Sequence, residues 1–258
     1  MSTRPRVAVT LGDPRGIGPE VTRKALRDPE VADVAEWTVL GPEGWDGPGT
    51  ALPVGRWAPE DGDAAAGRIA GEAIRRGVEL AMVGEVDALV TAPIDKAAFR
   101  AGGWHYPGHT EMLRELAGVP AVSMMMAADR TALGGSLRVV LATTHLALRD
   151  VPGAISTELF EEQSELTWRA LRDWWGIPDP RIALCAFNPH ASDGGLFGDE
   201  EARVLEPAVR RLRERGISAG GPFPADTVFT RAVRGEFDAV IAPYHDVGMA
   251  AFKTAAFG

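Results

Sequence analysis

Short apolar runs alternate with amphipathic stretches along almost the whole chain. The runs at 6–11 (RVAVTL), 37–40, 87–91 (DALVT), 121–127 (AVSMMMA), 137–144, 182–187 and 238–242 are bounded by Gly, Pro, Asn or charged residues, as covered strands are. Between them apolar residues recur at helical spacing. Ile69, Ala73, Ile74, Val78 and Ala81 mark one face of 63–82, and 157–175 is amphipathic in the same way. Val204, Leu205, Val209 and Leu212 do so within 199–215, where Pro207 predicts a kink or an early boundary. Shorter helices are predicted over 19–27, from Lys96, and up to Leu116, the last capped by Thr110 or His109. The 41–62 stretch, rich in Gly, Pro and Trp, reads as a loop with room for one short strand. Strands alternating with helices predict an α/β protein with mostly parallel sheets.

The stretch RIALCAFNPHASDGGLFGDEE at 181–201 reads as a buried strand, a loop carrying Asn188, His190, Ser192 and Asp193, then a helix from near Gly198. His190 therefore stands just past a strand's carboxyl end, where open α/β sheets bind ligands. His145 and His245 follow two other runs in the same way. Three of the five histidines share one kind of position. That makes them a candidate metal site, because neutral imidazoles are common ligands of divalent ions. The turn GDPRGIGPE at 12–20 can offer backbone N–H groups to an anion, although it is neither a dinucleotide fingerprint nor a P-loop.

Composition narrows the function classes. The chain of 258 residues carries a net charge of −9 and no local basic patch, which argues against nucleic acid as a partner. An anionic small substrate then needs a few converging positive groups. Only three lysines are present, Lys24, Lys96 and Lys253, and the last two lie in motif-like stretches. No apolar run approaches the roughly 18 residues of a membrane span, and the N-terminus lacks the apolar region of a signal peptide. Cys185, the single cysteine, lies in a predicted core strand, so no intrachain disulfide can form and a cytoplasmic location is expected.

The segments TLGDPRGIGPE, TAPIDKAAFRAGG, YPGHTE, ATTHLALRDVP, NPHASDGGLFGDEE, GPFPADTVF and YHDVG, in this order, resemble the 4-phosphohydroxy-L-threonine dehydrogenase family of vitamin B6 biosynthesis. The likeness runs from about residue 7 to 258. It implies an isocitrate/isopropylmalate-dehydrogenase-like α/β fold of two α/β/α domains with a cleft between them, taken as 1–105 and a metal-binding, dimerising 106–258. It implies a divalent metal (zinc, cobalt or magnesium) on His145, His190 and His245, and NAD as oxidant at a site the motifs do not locate. It also implies a homodimer with an active site shared between subunits, for which His245 is the expected contribution in trans. His109, Thr110 and Lys253 match substrate-binding positions. Asp226, Asp246 and Lys253 match catalytic ones, the two aspartates as partners orienting the imidazoles. Read singly, His109 or Asp226 also suits a helix cap, and Lys96 or His105 plain surface.

The expected reaction is metal-dependent, NAD-linked oxidation, with decarboxylation, of 4-phosphohydroxy-L-threonine or a close relative. Sister specificities are the alternative: another four-carbon phosphorylated hydroxy acid or a cyclic diol carboxylate. A metal-binding remnant without dehydrogenase activity, or a metal lyase or hydrolase on the same histidines, are the rivals. Two residues depart from the family pattern: Val247 where Gln is usual, and Asp193 where Glu is. Family members also continue for several dozen residues past the position of Gly258, with an Asn and an Arg that help hold substrate and part of the cofactor site. The 41–62 region is also short against the family pattern.

Overall fold

The first apolar run becomes β1 (Arg6–Thr10), and both of its neighbours in the sheet run parallel to it. The computed structural model describes residues 4–257, which gather into two units divided between Pro120 and Ala121. In the first unit β1 is followed by α1 (Gly18–Ala25), the single turn α2 (Pro29–Ala32), β2 (Glu36–Pro42), β3 (Thr50–Gly55), α3 (Gly62–Met82), β4 (Ala88–Thr91), α4 (Lys96–Ala101) and α5 (His109–Ala117). The sheet order is β3-β2-β1-β4, parallel throughout. β3 is the short strand that the 41–62 stretch leaves room for.

Successive residues of β1 point to opposite faces. Ala8 packs with Leu40 and with Ala73 and Leu80 of α3, while Val9 packs with Val39 and with Leu26 at the end of α1. Helices thus cover both faces. α3 lies very close to α4: a Cβ on Gly67 would stand 1.8 Å from the Ala98 carbonyl oxygen, so no side chain fits there. Met112 of α5 packs with Ala70 and Ile74 of α3, so α5 belongs to the first unit.

The second unit contains β5 (Met124–Ala128), β6 (Leu137–Leu141), the turn α6 (Val151–Ala154), α7 (Thr157–Asp173), β7 (Ile182–Cys185), α8 (Glu206–Glu214), β8 (Ala219–Phe223), α9 (Ala225–Val233), β9 (Ala239–Ala242) and α10 (His245–Ala256). The sheet order is β5-β6-β9-β7-β8, with β5 antiparallel and the other pairings parallel. Ile182, Leu184 and Ile241 face Phe160 and Leu171 of α7 and Leu212 of α8. Ala183, Cys185, Val240 and Ala242 face Val228 of α9 and Phe252 of α10. Both faces are covered, so β7 and β9 are apolar at every position, as strands buried on two sides are.

Local signals explain the helix limits. Ser156 caps α7 by accepting the Leu159 N–H at 3.1 Å. The single helix expected over 199–215 is in fact a π-helical turn, Glu201–Leu205, running into α8. Pro207, in the first turn of α8, has no N–H to return to the preceding turn, and the ladder widens just before it.

Candidate active site

β6, β9 and β7 are adjacent and parallel, so their carboxyl ends lie on one edge of the sheet, and each is followed by one of the three histidines. Two hydrogen bonds close the seam between the loops after β6 and β9. The Ala142 N–H donates to the Ala242 carbonyl at 2.9 Å, and the buried Thr143 hydroxyl donates to the Pro243 carbonyl at 2.8 Å. Two residues beyond each end of that second bond, His145 and His245 stand with ring centroids 5.7 Å apart. Asp246 Oδ1 lies 2.7 Å from His245 Nδ1. A proton shared on that side leaves Nε2 with its lone pair free, the tautomer a metal ligand needs.

His190 sits elsewhere on the same edge. With Asn188, Asp226, Tyr244 and Val247 it lines a cavity of about 290 Å³. Asp226 is an exposed residue in the first turn of α9. It does not cap that helix, because Pro224 holds the cap position and the Thr227 hydroxyl bonds back to its carbonyl at 3.2 Å. Val247 gives the cavity an apolar wall where the family pattern has a polar side chain.

The backbone around His190 is unusual. φ is positive at His190 (52°), Ala191 (56°), Ser192 (67°) and Asp193 (45°), and stays so through Gly194 and Gly195. Left-handed helical conformation costs an L-residue about 1–2 kcal/mol each. Glu201, only 2% exposed, meets this loop from the π turn. Its carboxylate accepts N–H bonds from Phe187 at 2.8 Å and Asn188 at 2.6 Å, the Asn188 side-chain amide at 2.9 Å, and the Ser192 hydroxyl. Burial alone pushes the Glu201 carboxyl up, but these donors bring it below the ordinary range. Reading the sequence misses Glu201. The available signal is an acid in phase with the inward-facing Val204, Leu205 and Ala208.

In the first unit, His109 is the first residue of α5 and Gly108 its cap, so neither His109 nor Thr110 is the cap expected from the sequence. His109 Nε2 is buried without a hydrogen-bond partner. Burial lowers its pKa, which keeps the ring neutral at pH 7. Lys253 is exposed on α10, two turns beyond Asp246 and on the same face of the helix. In the turn after β1, Asp13 consumes the N–H groups that an anion would use. Its side chain takes the Arg15 N–H at 2.9 Å, and its carbonyl takes the Gly16 N–H at 2.9 Å. This is a tight turn, braced by the Arg15–Asp13 ion pair at 2.6 Å. Lys96 is exposed, His105 is exposed, and Lys24 pairs with Glu20 on the surface. Cys185 is core, its thiol pushed up to about 12 by burial.

Among the described residues no three His, Cys, Asp or Glu side chains converge as a metal-binding group. The spacing of the His145–His245 rings, 5.7 Å between centroids, is compatible with a shared ion. Two imidazoles bound through nitrogen at roughly 2.0–2.1 Å would hold their ring centres about 5–6 Å apart. The sequence reading expects His245 to come from a second subunit. In this chain its ring stands 5.7 Å from that of His145.

Parallel sheets covered on both faces, with histidines and carboxylates gathered at the strand ends, define an α/β enzyme of the kind that binds small ligands beyond its sheet. Residues 20–258 match the model of the family described as pyridoxal phosphate biosynthetic protein PdxA, and the chain belongs to that family. The 4-hydroxythreonine-4-phosphate dehydrogenase of Geobacter metallireducens is 40% identical over 283 aligned residues, covering 98% of this chain and 81% of that one. A crystal structure of the dehydrogenase of the same name from Burkholderia phymatum superposes with a TM-score of 0.83 at 39% identity, over 97% of this chain and 83% of that one. A terephthalate 1,2-cis-dihydrodiol dehydrogenase from Burkholderia xenovorans LB400 does so at 0.72 and 27% identity, over 98% and 83%. The chain is accordingly an oxidoreductase acting on a CH–OH group. No helix among the described residues is long and apolar enough to cross a membrane.

Proposed function

We propose that this chain is a metal-dependent, NAD-linked dehydrogenase of 4-phosphohydroxy-L-threonine or a closely related small hydroxy acid, working as a homodimer in the cytoplasm. The fold is taken as isocitrate/isopropylmalate-dehydrogenase-like. The observation that carries the reading is the His145–His245 pair at the ends of adjacent strands, with Asp246 on one of its rings. His190 completes a set of three imidazoles when the site is shared between subunits. Nitrogen donors suit zinc or cobalt better than magnesium, which prefers oxygen.

Oxidation takes a hydride from the carbon that bears the hydroxyl and a proton from its oxygen. The resulting keto group is β to the carboxylate, so the carbon–carbon bond can break with loss of CO2, its electron pair being captured by a proton. When bound, the ion supplies a Lewis acid for the hydroxyl and NAD+ the hydride acceptor. The chain's own residues do the rest. Asp246 keeps His245 in the ligating tautomer. Asp226, exposed beside the His190 cavity, is the carboxylate that would orient the His190 imidazole. Lys253 pairs with the substrate's phosphate or carboxylate, and neutral His109 with Thr110 offers further hydrogen bonds to it.

Sister specificity is the second reading. The terephthalate dihydrodiol dehydrogenase is among the structural relatives, and Val247 puts an apolar wall in the His190 cavity. The deciding experiment follows NADH formation by metal-stripped protein with 4-phosphohydroxy-L-threonine, before and after zinc or cobalt is returned. Turnover that requires both the metal and NAD+, with CO2 released, is the expected result. Full turnover in the stripped protein would overturn the metal assignment, and reduction of NADP+ alone would overturn that of NAD. Turnover of a cyclic diol carboxylate but not the phosphorylated substrate would select the second reading.

A further inference from the structure

Nothing in the loop from His190 to Gly195 explains why it stays left-handed. Ala and Ser have no preference for that region, and four consecutive non-glycine residues in it oppose their own conformation. The loop is also largely exposed at His190, Asp193, Gly194 and Gly195, so core packing does not impose its shape. What reaches it from outside is Glu201. This side chain enters from the first residue of the π turn, a segment anchored by buried Val204 and Leu205. Two backbone N–H groups, one side-chain amide and one hydroxyl converge on its two carboxylate oxygens, and all four donors lie between Phe187 and Ser192.

We propose that Glu201 is the positioning residue for His190: its carboxylate staples the base of the left-handed loop to the following helix and so fixes where the imidazole is presented. A purely space-filling role would be met more cheaply by an apolar side chain, since burying a carboxylate is costly unless its hydrogen bonds are needed. The bonding pattern is specific to a carboxylate. Gln keeps one oxygen for the Phe187 and Asn188 N–H groups but sets its amide donor against the Asn188 amide and forces the Ser192 hydroxyl to turn from donor to acceptor. The consequence for metal binding rests on His190 being a ligand as proposed above; the staple itself does not.

The test uses the full chain and three variants: Glu201→Gln, Ser192→Ala and His190→Ala. Hydrogen exchange of the 187–195 segment, far-UV circular dichroism and Co2+ titration are the readouts. Glu201→Gln is expected to speed exchange in 187–195 by about tenfold or more while β6 and β9 keep their protection. Its Co2+ affinity is expected to fall about 10- to 100-fold. Ser192→Ala, which removes one donor and keeps the carboxylate, is expected to show a smaller change in the same segment, and it decides the matter if Glu201→Gln does not fold. Unchanged exchange in 187–195 in the folded variants overturns the staple. Exchange accelerated equally across the whole sheet also overturns it, by assigning Glu201 to the core. If His190→Ala leaves Co2+ affinity intact, it is the metal reading that fails, and local exchange alone then judges Glu201.

Discussion

His145 and His245 face each other across a loop seam, 5.7 Å between ring centroids and 42° between ring planes, although 99 residues of chain separate them in the sequence. The pair is aligned by the Thr143–Pro243 hydrogen bond and one ring is turned by Asp246. Asp246→Asn preserves size but weakens the acceptor on Nδ1. Affinity for Co2+ should fall about 10- to 100-fold, while stability shifts by no more than about 0.5 kcal/mol, because Asp246 is exposed. Calorimetric titration and a denaturant melt measure the two. Unaltered Co2+ affinity would separate Asp246 from the metal.

Thr143→Val removes the donor and leaves the Pro243 carbonyl buried without it. The expected loss is about 1–3 kcal/mol of stability, read from the denaturant midpoint. A variant as stable as the parent would mean that the Ala142–Ala242 bond alone closes the seam.

Sharing of the site between subunits makes its own prediction. His190→Ala and His245→Ala should each be inactive as homodimers. Mixed under conditions that exchange subunits, they should recover part of the parental turnover, because a heterodimer regains one site with all three imidazoles. No recovery despite demonstrated exchange would place the complete site within one chain.

An acidic protein that takes an anionic substrate needs local positive charge, and Lys253 is one of only three lysines. Lys253→Met should lower kcat/KM by a factor of roughly ten to a hundred, the equivalent of a charge-assisted hydrogen bond of about 1.5–3 kcal/mol. Comparing phosphorylated and non-phosphorylated substrates identifies the group it meets. A loss confined to the first points to phosphate, an equal loss to the carboxylate. Full activity on both would return Lys253 to the surface.

Acid stability reports on the turn after β1. Burial by itself raises the Asp13 carboxyl, but the Arg15 guanidinium and N–H hold it below its ordinary 3.8. With the folded value depressed, its contribution is complete well above 3.8 and is lost as pH falls through the lowered value. Asp13→Asn lacks that contribution. The stability gap between parent and variant should therefore be widest near neutral pH and narrow in acid. Denaturant midpoints across the acid range check it, and a gap that stays constant with pH would show that Asp13 titrates alike in both states.

Most elements were legible because strands buried on both faces must be apolar at every position and helices packed on them must carry an apolar stripe. Leu137 to Leu141, Ile182 to Cys185 and the α3 face obey this. β8 was not legible, since AGGPF has little side chain to set a period, and α10 was hidden behind the histidine that opens it. The three strand-end histidines could be picked out in sequence, and the ordered motifs gave the family. Other decisions are non-local. Which strands lie side by side follows from packing over the whole sheet, and placing β9 beside β6 is what brings His145 to His245. The left-handed loop and the buried Glu201 that meets it are of the same kind. Neither Ala nor Ser asks for that backbone, and a glutamate looks like surface until a tertiary contact supplies four donors to its carboxylate.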